Sequence, residues 1–127
     1  MASCKITVIP VYSPNSDYDP NLCVLQDYDE VLSSPTRKVG PSIVSVATSS
    51  TSLVAANVFA STFQALYVHN LDSTNFVTVT FTSGASSDAI KVPAGRKMLI
   101  PQVDPTVAVT AAADTAACLV EFFAAGA

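Results

Sequence analysis

Tryptophan is missing from this chain, histidine occurs once, and Lys, Arg, Asp and Glu together make up 13% of its 127 residues. A charged share of about a quarter is usual, so much of the surface must consist of small neutral residues, a surface suited to packing against other protein. With no Trp, and with Tyr12, Tyr18, Tyr28 and Tyr67 as the only tyrosines, a platform for stacking sugars is hard to assemble. A carbohydrate-binding β-sandwich module is therefore a weaker alternative that would rest on Tyr67. His69 has no assignable nucleophile or carboxylate partner, which removes the commonest general base. Six Lys and Arg, isolated apart from Arg37-Lys38 and Arg96-Lys97, form no basic stripe that could follow a phosphate backbone.

Catalytic signatures are missing as well. There is no GxSxG, no phosphate-binding glycine loop followed by lysine, and no HExxH. Paired carboxylates for glycoside hydrolysis would have to face each other about 5–10 Å apart, whereas Asp72, Asp88, Asp104 and Asp114 all fall in expected turns or connections. Asp17, Asp19, Asp27, Asp29 and Glu30 crowd one stretch but lack the other ligand positions and the turn glycine of a Ca²⁺ loop, so they read as a solvated segment. Cys4, Cys23 and Cys118 are odd in number, widely spaced and without a CxxC, which argues against zinc and against a disulfide framework and fits reduced thiols made in a cytosol. No window reaches the ~18 continuous apolar residues of a membrane span, and MASCKITVIPVY, broken by Pro10, is too short for a signal segment. The expectation is a chain that is not an enzyme, with no cofactor, no metal, no nucleic-acid partner and no membrane partner.

What the sequence does contain is β-structure. A chain of this length with half its residues apolar can enclose one core, burying roughly two-thirds of its unfolded surface. Composition changes near residue 40: Pro10, Pro14, Pro20, Pro35 and Pro41 fall in the first 41 residues, and each removes a backbone donor and fixes φ. Residues 1–40 are expected to form an extended Pro-rich N-terminal arm. Its aliphatic content sets it apart from a disordered tail. Ile6, Val8, Ile9, Val11, Tyr12, Leu22, Val24 and Leu25 are the candidate partner-binding residues, and Lys5–Val11 and Cys23–Leu25 are candidate edge strands.

Residues 41–127 read as an all-β domain, a β-sandwich or jelly roll. Ile43, Val44 and Val46 open a strand, and Leu53–Val58 offers another after the Thr48–Thr51 turn. The Ala-rich segment 55–65 contains Val58, Phe59, Thr62 and Phe63, which argue against a long helix. Leu66 and Val68, then Val77, Val79 and Phe81, mark the buried face of two strands joined as a hairpin by Asp72-Ser-Thr-Asn75. Ser83–Asp88 is expected to be a loop around Gly84. Ile90 and Val92, a Pro93-Ala-Gly95 turn, Met98 and Ile100, and Val107 and Val109 follow. Cys118, Val120 and Phe122 face inward in the last strand, and Leu119 and Phe123, flanking Glu121, suggest an opposite face that is partly covered.

The run NLDSTNFVTV, a loop, VPAGRKMLIP and VTAAADTAACLVEFF together resemble small virion structural proteins of tailed bacteriophages over residues 64–123. The resemblance implies a virion protein without catalysis. The favoured form is a capsid decoration (cement) protein, assembled in the host cytoplasm and binding the major capsid protein or other virion proteins through the arm. It also implies a homo-oligomer, with a trimer favoured; a tail or head-fibre subunit is the alternative within the same class.

Overall fold

In the computed structural model, the structure describes residues 4–8, 28–32 and 37–127. Two compact units divide the chain, Met1–Ser34 and Pro35–Ala127. In the first, β1 (Cys4–Val8) and β2 (Tyr28–Leu32) pair antiparallel, with Cys4 opposite Leu32 and Val8 opposite Tyr28. Ile6 and Val8 of the candidate arm residues lie in β1. Ile9, Val11, Tyr12, Leu22, Val24 and Leu25 lie outside the described residues, as does the candidate strand Cys23–Leu25.

The second unit has eight strands and, among the described residues, no helix. They are β3 (Arg37–Val46), β4 (Thr51–Val54), β5 (Phe63–Asn70), β6 (Val77–Ser83), β7 (Ser86–Val92), β8 (Lys97–Ile100), β9 (Ala108–Ala113) and β10 (Cys118–Gly126). Two antiparallel four-stranded sheets result, ordered β3-β10-β5-β8 and β4-β9-β6-β7. Apart from the β6–β7 hairpin, every connection carries the chain from one sheet to the other.

Alternation along the strands explains why the sheets stack. Val46, Leu66, Val68, Cys118, Val120 and Phe122 point inward from the first sheet, and Val54, Val77, Val79, Val92, Val109 and Ala111 from the second, forming one shared core. Leu66, Val68, Val77 and Val79 have no solvent exposure, and each such side chain stabilises the fold by about 1.5–3 kcal/mol through burial. Phe81, Met98, Ile100 and Val107 pack against this core from its margins. Apart from Ile90, the inward set expected for these strands is the one observed. Ile90 shares the inward register of Val92 yet stays 41% exposed, because β7 is the outermost strand of its sheet.

Several local expectations need correction. β5 and β6 do not form a hairpin: they lie in different sheets, and Asp72–Asn75 carries the chain across the sandwich. Ser83–Asp88 is not a loop, since the β6–β7 turn is just Gly84-Ala85 and β7 begins at Ser86, opposite Ser83. Asp88 accordingly sits in a strand opposite Phe81, not in a turn. β4 ends at Val54, and Phe59, from the connection that follows, plugs the core, its ring centroid 4.8 Å from that of Phe63.

β3 begins before Pro41 and passes through it. Its pairing with β10 slips between Phe122 and Ala124, so Gly40 and Pro41 together oppose one residue. Gly40 takes φ +81°, and a Cβ there would come within 2.6 Å of the Phe122 carbonyl oxygen. This bulge lets an edge strand carry a proline without a missing ladder donor.

Candidate protein-interaction face

The three segments that carry the phage resemblance meet at one end of the sandwich, around Asn70. The Asn70 side chain is fully buried. Its Nδ2 donates to the carbonyls of Asn75 at 2.8 Å and Val92 at 3.2 Å, and its Oδ1 accepts from the Asp72 amide at 3.0 Å. Its backbone amide donates to the Arg96 carbonyl at 3.0 Å, just past the Pro93-Ala-Gly95 turn. Asp72 in turn accepts from the amides of Thr74 at 2.8 Å and Asn75 at 2.6 Å. The Ala-Asp-Thr-Ala segment joins through Thr115, whose hydroxyl donates to Asn75 Oδ1 at 2.8 Å. These motifs are a clamp on the sheet-to-sheet crossings. A buried amide satisfied in this way is worth more to the fold than its net hydrogen bonds suggest, because its removal strands its partners.

The clamp also sets local electrostatics. Hydrogen bonds from the Asn75 and Thr74 amides hold the Asp72 carboxyl below its ordinary value of 3.8. Bonds from the Thr106 hydroxyl and amide lower Asp104 in the same way. Cys118, a free and buried thiol beneath the clamp, is pushed above its ordinary 9.0 by burial first, and then by the charges of Asp72 and Asp114. A thiol held protonated is a poor nucleophile. Among the described residues, no group of three or more His, Cys, Asp or Glu is placed to hold a metal ion.

The two outer faces of the sandwich differ in chemistry. The register places Thr78, Thr80 and Thr82 of β6 beside Ala112, Thr110 and Ala108 of β9, and beside Lys91, Ala89 and Ser87 of β7. That face is small and hydroxyl-rich. The outer face of β3-β10-β5-β8 is instead apolar with a charged centre. Its middle row runs Ile43, Glu121, His69, Lys97 across the four strands. To one side Phe123, Tyr67 and Leu99 form a second row. To the other, Leu119 lies between Ser45 and Leu71, whose amide donates to the Leu119 carbonyl at 2.9 Å. Ile43 is 59% exposed, Leu119 55%, Leu71 40% and Leu99 37%. Four of the five large exposed hydrophobic residues among those described therefore lie on this face or its margin.

Within the middle row, His69 Nδ1 stands 3.8 Å from Glu121 Oε1, both side chains being partly exposed. Tyr67 lies beside His69, with ring centroids 6.4 Å apart. Burial, followed by the charge of Glu121 and a hydrogen bond to it, pushes the Tyr67 hydroxyl above its ordinary 10.0. Leu119 and Phe123 flanking a charge are visible in the sequence of β10 alone. Ile43, Leu71, Leu99 and the Tyr67–His69–Glu121 group were not singled out together, because only strand order brings them side by side; their outward parity on four separate strands is the signal that finds them.

No known family model matches the chain, and neither characterised proteins nor solved structures give a match.

Proposed function

We propose that this protein is a non-enzymatic structural protein of a bacteriophage virion, and specifically a capsid decoration protein. The observation that carries the assembly role is the outer face of β3-β10-β5-β8, where Ile43 and Leu119 each keep more than half their surface in water. Exposed large apolar side chains gathered on one sheet face of a folded domain suit a surface that other protein covers. The virion assignment itself comes from the sequence resemblance. The interleaved strand order supports reading the sandwich as a jelly roll, an architecture common in viral capsid domains and in lectins. The low charge and the hydroxyl-rich second face fit a surface crowded by other subunits.

In this reading the unit Met1–Ser34 provides attachment to the shell and the sandwich provides bulk and lateral contact. A pair of antiparallel strands is marginal by itself in water, and pairing with a shell subunit would stabilise it by strand addition. The test is binding of the full chain, and of a chain lacking residues 1–34, to undecorated shells. Loss of binding with retained sandwich folding is the expected result; undiminished binding sinks the attachment role.

One observation favours a second reading, a carbohydrate-binding module. Tyr67, His69 and Glu121 stand side by side on an open sheet face, an aromatic with adjacent polar groups of the kind that grips a sugar. Glycan-array binding that vanishes in Tyr67→Ala would favour it over the assembly role.

A further inference from the structure

We infer that the outer face of β3-β10-β5-β8 is covered by the same face of a second copy, related by a two-fold axis parallel to the strands and lying between β10 and β5. The inference rests on reading the sandwich as an assembly module, not on the identity of the particle it joins.

Self-complementarity carries the argument. β10 and β5 are the two central strands, and three rows of outward residues cross them in register: Leu119 beside Leu71, Glu121 beside His69, and Phe123 beside Tyr67. A two-fold axis along the strands exchanges β10 of one copy with β5 of the other and keeps each row at its own height. Leu119 then stacks on the partner's Leu71, Phe123 on the partner's Tyr67, and Glu121 on the partner's His69, each contact made twice. The apolar rows close above and below, excluding water from the Glu121–His69 pairs. Electrostatics selects this axis over the alternative. A two-fold axis across the strands would set Glu121 on Glu121 and leave His69 without its carboxylate partner, and carboxylates in contact cost several kcal/mol.

Sheet geometry agrees with the placement. Stacked sheets lie about 10 Å apart and their strands cross at roughly 30°, so register across an interface degrades with distance from the axis. The chemically matched rows are on the strands adjoining the axis. The unmatched residues, Ile43 on β3 and Lys97 and Leu99 on β8, lie at the edges, where slippage matters least. A face complementary to itself closes as a pair, whereas a ring of three joins two different surfaces. This surface therefore points to a dimer where the sequence resemblance favours a trimer.

The experiment is sedimentation equilibrium on the full chain and on three variants. The wild type is expected to be a dimer at micromolar concentration. Glu121→Lys places lysine against the partner's histidine, and His69→Glu places two glutamates in contact. Each is expected to weaken the dimer by at least about tenfold, a change of about 1.4 kcal/mol in pairing. Mixed in equal amounts, the two variants are expected to form a heterodimer within about threefold of wild-type affinity, since the introduced lysine then faces the introduced glutamate and the other contact is the wild-type Glu121–His69 pair. Thr80→Lys, in the middle of the hydroxyl-rich face, is expected to leave the dimer unchanged. A charge effect confined within one chain would not be relieved by mixing, so absence of rescue overturns the proposal. A monomeric wild type, a trimer, or loss of the dimer in Thr80→Lys overturns it too. Shell binding can fail without touching these outcomes, and the dimer can fail while shell binding persists.

Discussion

Asn70 shows how much a single polar residue governs here. Its buried side-chain amide donates two hydrogen bonds and accepts one, tying Asn75, Val92 and Asp72 together. Asn70→Leu keeps the volume but takes the side-chain partner from two carbonyls and an amide, and it is expected to cost about 2–4 kcal/mol, read from chemical denaturation. Asp72 gives the clamp a pH dependence. Its folded-state value is depressed, so the stability it contributes is present above its unfolded value of 3.8 and is lost as pH falls through the lower folded value. The wild type should therefore lose stability more steeply than Asp72→Asn on acidification below about pH 4, measured as melting temperature against pH. Cys118, buried and held protonated, is expected to resist alkylation in the native protein at pH 7.5 and to react on unfolding, as peptide mapping of that residue would show.

At the level of strands, the bulge at Gly40 and the turn at Gly84 make a controlled pair. Both glycines have positive φ, but a Cβ at Gly84 meets nothing within 4 Å whereas one at Gly40 meets the Phe122 carbonyl. Gly84→Ala is expected to cost about 1 kcal/mol from backbone strain alone. Gly40→Ala should cost at least about 2 kcal/mol, because the clash adds to the strain, and the difference in denaturation midpoint tests this. The strands whose faces were readable from the sequence, β5, β6 and β10, are those with one side in the core, since period-2 alternation reports burial. Only the end of β7 was readable, through Ile90 and Val92, because Ser86–Lys91 is exposed along its whole length and its first half shows no alternation. The crossing at Asp72–Asn75 was not readable because an Asx-rich link of four residues looks the same whether it turns within a sheet or steps between two. The interaction face was half readable: parity marks Leu119 and Phe123 as outward, but parity says nothing about which strand lies alongside.

For the molecule as a whole, the core cluster found among the described residues lies in the second unit, from Val39 to Ala124. A chain lacking residues 1–34 is therefore expected to unfold in one cooperative transition, with a melting temperature within a few degrees of the intact chain, as calorimetry would show. The resemblance segments turn out to be the joints of the sandwich, since NLDSTN, VPAG and ADTA converge on Asn70. Residues that hold crossings together say what the fold is and little about what it touches, which is why partner chemistry has to be sought on the open face.

The position of β10 has a consequence for synthesis. It follows every other strand of the sandwich along the chain, yet it lies between β3 and β5 and supplies the pairing for both. On the ribosome, β3 and β5 must wait with open edges until residue 118 and beyond emerge, while β4, β9, β6 and β7 already have all their partners. The sheet that bears the apolar face is thus the last to close, and its unpaired strands are the part of the nascent chain most in need of shielding from neighbouring polysomes.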